Sequence, residues 1–225
     1  MAELYLVRHG QASFGAANYD KLSELGHQQA VWLGEYFKHR GQVFDSILTG
    51  DLVRHRETAE GIAQGMGLEQ PIFNPFSGLD EFDFHSLLHA YTEQFPQEQL
   101  TADSPRADYY KLLKKTMHLW SENGLEGDLP ESWAQFEDRV QGVMTMIQKE
   151  MHGQKVLAVS SGGAIAMALR QVLKSPSETV IELNLQTKNT AIAHCFFNPK
   201  AIRVTSFNHV PHLDTNERHE NITYS

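Results

Sequence analysis

Short unbroken apolar runs alternate along this chain with longer stretches in which apolar residues recur at helical spacing. The first run, Leu4 to Val7, predicts a buried strand, and it stops abruptly at the polar trio Arg8, His9 and Gly10. From Ser23 the pattern turns helical: Ser23 suits an N-cap, Ala30, Leu33, Tyr36 and Phe37 share a face, and Gly41 can end the helix. A strand is expected over 44–48, a helix from about Asp51 (as N-cap) to Gly65, and a short strand at 71–73. Between 82 and 130 aromatic and polar residues mix with breakers, with one helical stretch at 107–121; this predicts an insertion over the sheet. A strongly periodic helix follows at 131–151, with Trp133, Phe136, Val140, Val143, Met144 and Ile147 on its apolar side. The plainest strand, 155–159, leads through Ser160-Ser161-Gly162-Gly163 into a helix to about Leu173, and two β-like runs, 191–197 and 202–207, close the pattern.

Strands alternating with helices predict an α/β three-layer sandwich: a mainly parallel central sheet, an antiparallel edge formed by the last two runs, and the helical insertion over the active-site end. All 225 residues are expected to form one domain, with the insertion at about 82–130. Composition narrows the function class. With 41% hydrophobic and 21% charged residues the chain is of ordinary globular type, and 19 Lys plus Arg against 28 Asp plus Glu, without a basic block, disfavours nucleic-acid or anionic-membrane partners. A phosphorylated substrate would need a local basic pocket. The lone Cys195 can form neither an internal disulfide nor a Cys-based zinc site, and His27, His39, His118, His152 and His219 lack metal-ligand spacing, so neither metal nor cofactor is expected. The N-terminus lacks the pattern of a signal peptide, and a cytoplasmic location is the expectation.

Chemistry first enters at Arg8 and His9. A guanidinium fork and an imidazole at a strand end stand where α/β sheets bind ligands, and fixed positive charge beside an imidazole suits a ring nitrogen attacking a phosphoryl group. The same residues could instead pair with a carboxylate and cap a turn.

The opening LVRHGQASF with LSELGHQQA resembles the histidine phosphatase superfamily, the phosphoglycerate mutase-like fold, which carries Arg-His-Gly at the end of its first strand. SILTGDLVRHRETAEGI resembles the family's Ser-x-Leu-x-Arg-Ala-x-Gln-Thr-Ala helix, which puts Arg54 on a phosphate-clamping arginine, while His55 and Glu57 depart from the commoner Ala and Gln. Leu79-Asp80-Glu81 is similar to the motif that supplies a general acid, VLAVSSGGAIA to a Val-Ser-His-Gly-Gly turn, LNLQTKNTAI to a Leu-x-x-x-Asn-Thr/Ser pattern, and FNHVPHL to a Phe-Asn-x-x-x-His-Leu ending.

The resemblance implies phosphomonoester hydrolysis through a phosphohistidine on His9, with Arg8 and Arg54 on the phosphoryl oxygens and Glu81 as acid, Asp80 and Asp83 being alternatives. Gln11 and Ser13 would donate to substrate or phosphate, or serve only as polar turn residues. The partner implied is a small phosphorylated substrate or phosphate itself. Tyr109, Tyr110, Lys111, Lys114 and Lys115 could line the substrate mouth or form an ordinary amphipathic face.

The main departure is Ser161, which stands where the family has a second histidine, while the N–H groups of Gly162 and Gly163 remain an anion site. His85, His89 and His212 are expected as candidates to compensate. Three other functions stay open: a non-catalytic phospholigand binder, a mutase, and a serine hydrolase with Ser161 at a strand–turn–helix elbow, although Val159 and Gly163 satisfy only one side of that motif.

Overall fold

The computed structural model describes residues 2–13, 20–101 and 103–224; Phe14, the last residue of the opening motif, lies outside them. Six strands form one sheet: β1 (Ala2–Arg8), β2 (Ser46–Thr49), β3 (Phe73–Pro75), β4 (Lys155–Ser160), β5 (Ile192–Asn198) and β6 (Ala201–His209), in the order β3-β2-β4-β1-β5-β6. β1, β2, β3 and β4 run parallel, and β5 and β6 are antiparallel additions, as the sequence predicts.

The helices are α1 (Glu24–His39), α2 (Val53–Met66), α3 (Phe84–Gln94), α4 (Arg106–Ser121), α5 (Trp133–Glu150), α6 (Gly162–Leu173) and α7 (Glu178–Gln186). Strand alternation divides them between two faces. Leu4, Leu6, Val156 and Ala158 belong to the core that holds α5 and α6, whereas Tyr5, Val7, Leu157 and Val159 belong to the one that holds α1 and α2. Both faces are therefore dry, and for this reason the strands read as continuous apolar runs. Segment 82–130 joins the first core through Trp120, whose ring lies 5.2 Å from Phe82, 5.6 Å from Phe136 and 5.0 Å from Trp133. Among the described residues no helix is long and apolar enough to cross a membrane.

Some boundaries differ from expectation. Ser23 does cap α1, accepting from the Gly26 N–H at 3.0 Å. Asp51 does not cap α2: the N-cap is Leu52, and the Val53 N–H is taken by Asp20 at 2.9 Å. A remote carboxylate thus does the work assigned to a local one. The strand expected at 71–73 lies at β3, and α3 and α7 were not individually foreseen.

α1 and α2 cross with their backbones nearly touching. A Cβ on Gly34 would lie 2.1 Å from the Ile62 carbonyl oxygen, and one on Gly65 would lie 2.1 Å from that of Val31. Neither obstacle is a side chain that can swing away. Behind the end of β1, His212 is buried and its Nε2 lies 2.8 Å from Thr190 Oγ1. That hydroxyl donates to the Asn189 carbonyl, so Nε2 carries the proton and the ring is neutral. Burial, then the nearby Arg218 and His209, lower its pKa to about 3.

Two outcomes follow for stability. Gly34→Ala should destabilise the protein by about 1–3 kcal/mol, whereas Gly142→Ala, in the middle of α5 with open space around it, should stabilise it by about 0.5–1 kcal/mol; urea denaturation reads both. The second outcome concerns His212, whose folded pKa lies below its unfolded value of 6.5. In the interval between them the unfolded chain holds the extra proton, so this contribution is complete above pH 6.5 and is lost as pH falls toward 3. Wild-type stability should drop over that interval by up to about 1.4 kcal/mol per pH unit more steeply than that of His212→Gln.

Candidate active site

The parallel pairing of β1 with β4 sets Arg8 opposite Ser160, and one residue further on the His9 N–H donates to the Ser160 carbonyl at 2.9 Å. Two chain turns thereby meet at the carboxyl end of the sheet: Arg8-His9-Gly10, and Ser161-Gly162-Gly163 at the start of α6. The first turn of α2 is pinned beside them, because Thr58 Oγ1 accepts from the Gly10 N–H at 3.0 Å and donates to the Arg54 carbonyl at 2.7 Å.

His9 is buried, with its Nδ1 2.7 Å from the Gly10 carbonyl oxygen. A carbonyl only accepts, so Nδ1 carries the hydrogen and the Nε2 lone pair is left for chemistry. Desolvation, followed by the charges of Arg8, Arg54 and His55, holds the ring's pKa well below the usual histidine value. Glu81 is shifted the opposite way. Burial pushes its carboxyl above the usual range, while the Gly163 N–H, donating at 3.1 Å, and the charges of Arg54 and Arg8 draw it partly back. A Cβ on Gly163 would lie 2.2 Å from Glu81 Oε1, so only glycine lets the carboxylate reach the start of α6.

The two arginines are held by the protein itself. Arg54 Nη1 donates to Asp20 Oδ1 at 2.7 Å, and Arg8 Nη1 donates to the carbonyls of Thr187 and Tyr224, the latter at 2.7 Å. Gln11 and Ser13 both bond within the turn: Gln11 Oε1 accepts from the Ser23 hydroxyl and Ser13 Oγ donates to the Leu22 carbonyl, each at 2.8 Å. Asp83 caps α3. Asp80 Oδ1 accepts from the Asp51 N–H at 2.7 Å.

Of the compensating candidates, His85 is exposed on the first turn of α3, exposed His89 faces Glu93 at 3.6 Å, and His212 braces Thr190. The imidazole at Ser161 belongs to His55, which sequence reasoning noted only as a departure from alanine. Its Nε2 lies 2.7 Å from Ser161 Oγ, its ring centre is 5.8 Å from that of His9, and it is fully buried. The lysines of α4 are paired, Lys111 with Asp108, Lys114 with Glu182 and Lys115 with Glu98, and the Tyr109 hydroxyl donates to the Thr101 carbonyl. Among the described residues no group of three or more His, Cys, Asp or Glu is placed to hold a metal ion.

Known proteins resemble this chain over most of its length. The chain is 27% identical over 207 residues to a probable phosphoglycerate mutase, GpmB, of Cronobacter sakazakii, covering 86% of this chain and 84% of that protein. It is 26% identical over 196 residues to a 2,3-bisphosphoglycerate-dependent phosphoglycerate mutase of Parvibaculum lavamentivorans, covering 82% and 86%. Among solved structures, a phosphoserine phosphatase of Entamoeba histolytica in complex with 3-phosphoglyceric acid superposes with a TM-score of 0.67 at 21% identity, covering 95% of this chain and 100% of that one. A putative alpha-ribazole-5'-P phosphatase of Escherichia coli gives 0.68 at 18% identity, covering 93% and 97%. The sequence profile of the histidine phosphatase superfamily (branch 1) matches residues 4–210, and the chain belongs to that superfamily.

Proposed function

We propose that the protein is a phosphomonoester hydrolase that works through a phosphohistidine on His9. The observation that carries this reading is the state of His9: a neutral ring, its Nδ1 hydrogen fixed on the Gly10 carbonyl, with Nε2 as the lone pair and two guanidinium groups close enough to lower its proton affinity. Nε2 attacks phosphorus as the ester P–O bond breaks, and Glu81 gives its proton to the departing alkoxide. Water then attacks the phosphohistidine and yields a proton to Glu81, and the N–P bond breaks to release phosphate and restore the ring. Arg8 and Arg54 stabilise the equatorial oxygens as charge gathers there. The named ligand of the Entamoeba enzyme, 3-phosphoglyceric acid, supports a small phosphorylated substrate.

Ser161 at the place of the family's second histidine favours a second reading, a phospholigand binder without turnover. The acid weighs against it. A site kept only for binding has no use for a carboxyl whose proton affinity burial raises beside two arginines.

Phosphate release from a panel of phosphomonoesters tests the function. His9→Ala should abolish turnover, and acid-labile, base-stable label trapped from a phosphorylated substrate should map to His9; label on Ser161 would favour a serine nucleophile, and a wild-type protein without turnover would favour the binder. Transfer of the label to a second substrate hydroxyl rather than to water would make the enzyme a mutase. In the pH profile of kcat/KM, the acid limb reflects protonation of His9 and should lie well below pH 6.5, while the alkaline limb reflects loss of the Glu81 proton and should lie above the usual carboxylate range. Glu81→Gln should lower the rate by about a hundredfold or more and remove that alkaline limb.

A further inference from the structure

The side chain that meets Ser161 comes from a different element and from 106 positions away in sequence. His55 follows Arg54 directly in the first turn of α2 and is fully buried, with Nε2 2.7 Å from Ser161 Oγ. Its Nδ1 faces Asp80 Oδ1 at 3.6 Å, a carboxylate already steadied by the Asp51 N–H. The ring lies beside that of His9, the planes inclined by 38°.

Gly50 is a separate sign that this place is reserved for the ring. Its backbone is not left-handed, yet a Cβ there would lie 2.2 Å from His55 Nδ1 and 2.4 Å from Asp80 Oδ1. Glycine is needed for space, and the space is filled by the imidazole. At position 161, correspondingly, a small hydroxyl residue stands where a second ring would compete for the same volume.

We propose that His55 is a catalytic residue that supplies, from α2, the imidazole donor which other members of the family carry in the turn after the fourth strand. This rests on the reading of His9 as the phosphoryl acceptor. With a phosphoryl group on His9 Nε2, an equatorial oxygen turns toward Ser161 and His55 Nε2, and the Nε2–H donates to it. The Ser161 hydroxyl holds the ring's direction before substrate arrives and adds a neutral donor afterwards. Asp80, across the ring, stabilises positive charge on the imidazole as charge builds on the phosphoryl oxygens. Desolvation and Arg54 favour the neutral ring, while Asp80 and Asp20 favour the charged one. A bound phosphoryl group adds negative charge on the side of the charged form.

An exchange of residues tests this with p-nitrophenyl phosphate as the probe. His55→Ala should lower kcat/KM by about a hundredfold, the usual cost of losing a charge-assisted donor at a transition state. Ser161→His alone should also lower it, because the new ring enters volume that His55 holds. The double variant His55→Ala/Ser161→His should recover to within about tenfold of wild type, since one imidazole again faces the phosphoryl group. If His55→Ala proves unstable in thermal unfolding, His55→Gln keeps a neutral donor of similar reach and should lose about tenfold. His55→Ala or His55→Gln within twofold of wild type, a double variant no better than His55→Ala, or a Ser161→His protein more active than wild type would each overturn the assignment. Activity surviving in His9→Ala would instead overturn the phosphohistidine reading, so the two failures are told apart.

Discussion

One backbone hydrogen bond, from the His9 N–H to the Ser160 carbonyl just past the last paired rung of β1 and β4, governs the geometry of this site. It aligns two chain turns that share no local sequence, and every other placement follows from that alignment. Gly162 passes beneath Arg8, where a Cβ would lie 2.5 Å from Asn184 Oδ1, and Gly163 presents its N–H to Glu81. Thr190 closes the arrangement from behind, its N–H directed at the carbonyls of both Arg8 and His9. A shift of one residue in the β1–β4 register would turn the apolar residues of β1 to the opposite faces and carry His9 away from the helix start, so core packing and site geometry are enforced by the same constraint.

Crowding positive charge around a buried imidazole is expensive unless carboxylates balance it. Here Asp20 answers Arg54 directly, Asp80 faces His55, and Glu81 lies within the influence of both arginines. The result is a pair of opposed shifts: the proton affinity of the histidine is lowered and that of the glutamic acid is raised. Opposed shifts of this kind suit proton movement better than static ion pairing, which is why they bear on the proposed chemistry.

The central strands were legible because a sheet covered on both faces demands apolar residues at every position, and runs such as Leu4 to Val7 carry that demand openly. The helical period of α1 and α5 was equally plain. Segment 82–130 was harder: its mixed aromatics acquire meaning only when Trp120 meets Phe82, Phe136 and Trp133 in space. The same limit applied to the site. Arg8, His9, Arg54 and Glu81 could be placed by motif, but Asp20 belongs to none, and its contacts with Arg54 and Val53 depend on tertiary geometry. His55 was visible as an anomaly, a histidine in place of alanine. So was Ser161, a serine in place of histidine. Nothing along the chain connects the two anomalies; the fold does.

The order of the strands also bears on how the protein is made. β1 is synthesised first, yet its two neighbours, β4 and β5, begin at Lys155 and Ile192. Until β4 has left the ribosome, this apolar strand has no sheet partner on either edge, and at about 5–20 residues per second that exposure lasts on the order of ten seconds. An unpaired, apolar edge is the kind of segment that recruits other unfolded chains. The strand that leads to His9 is therefore the one most in need of shielding during synthesis, and its long separation from its partners makes slow, late closure of the sheet an intrinsic property of this topology.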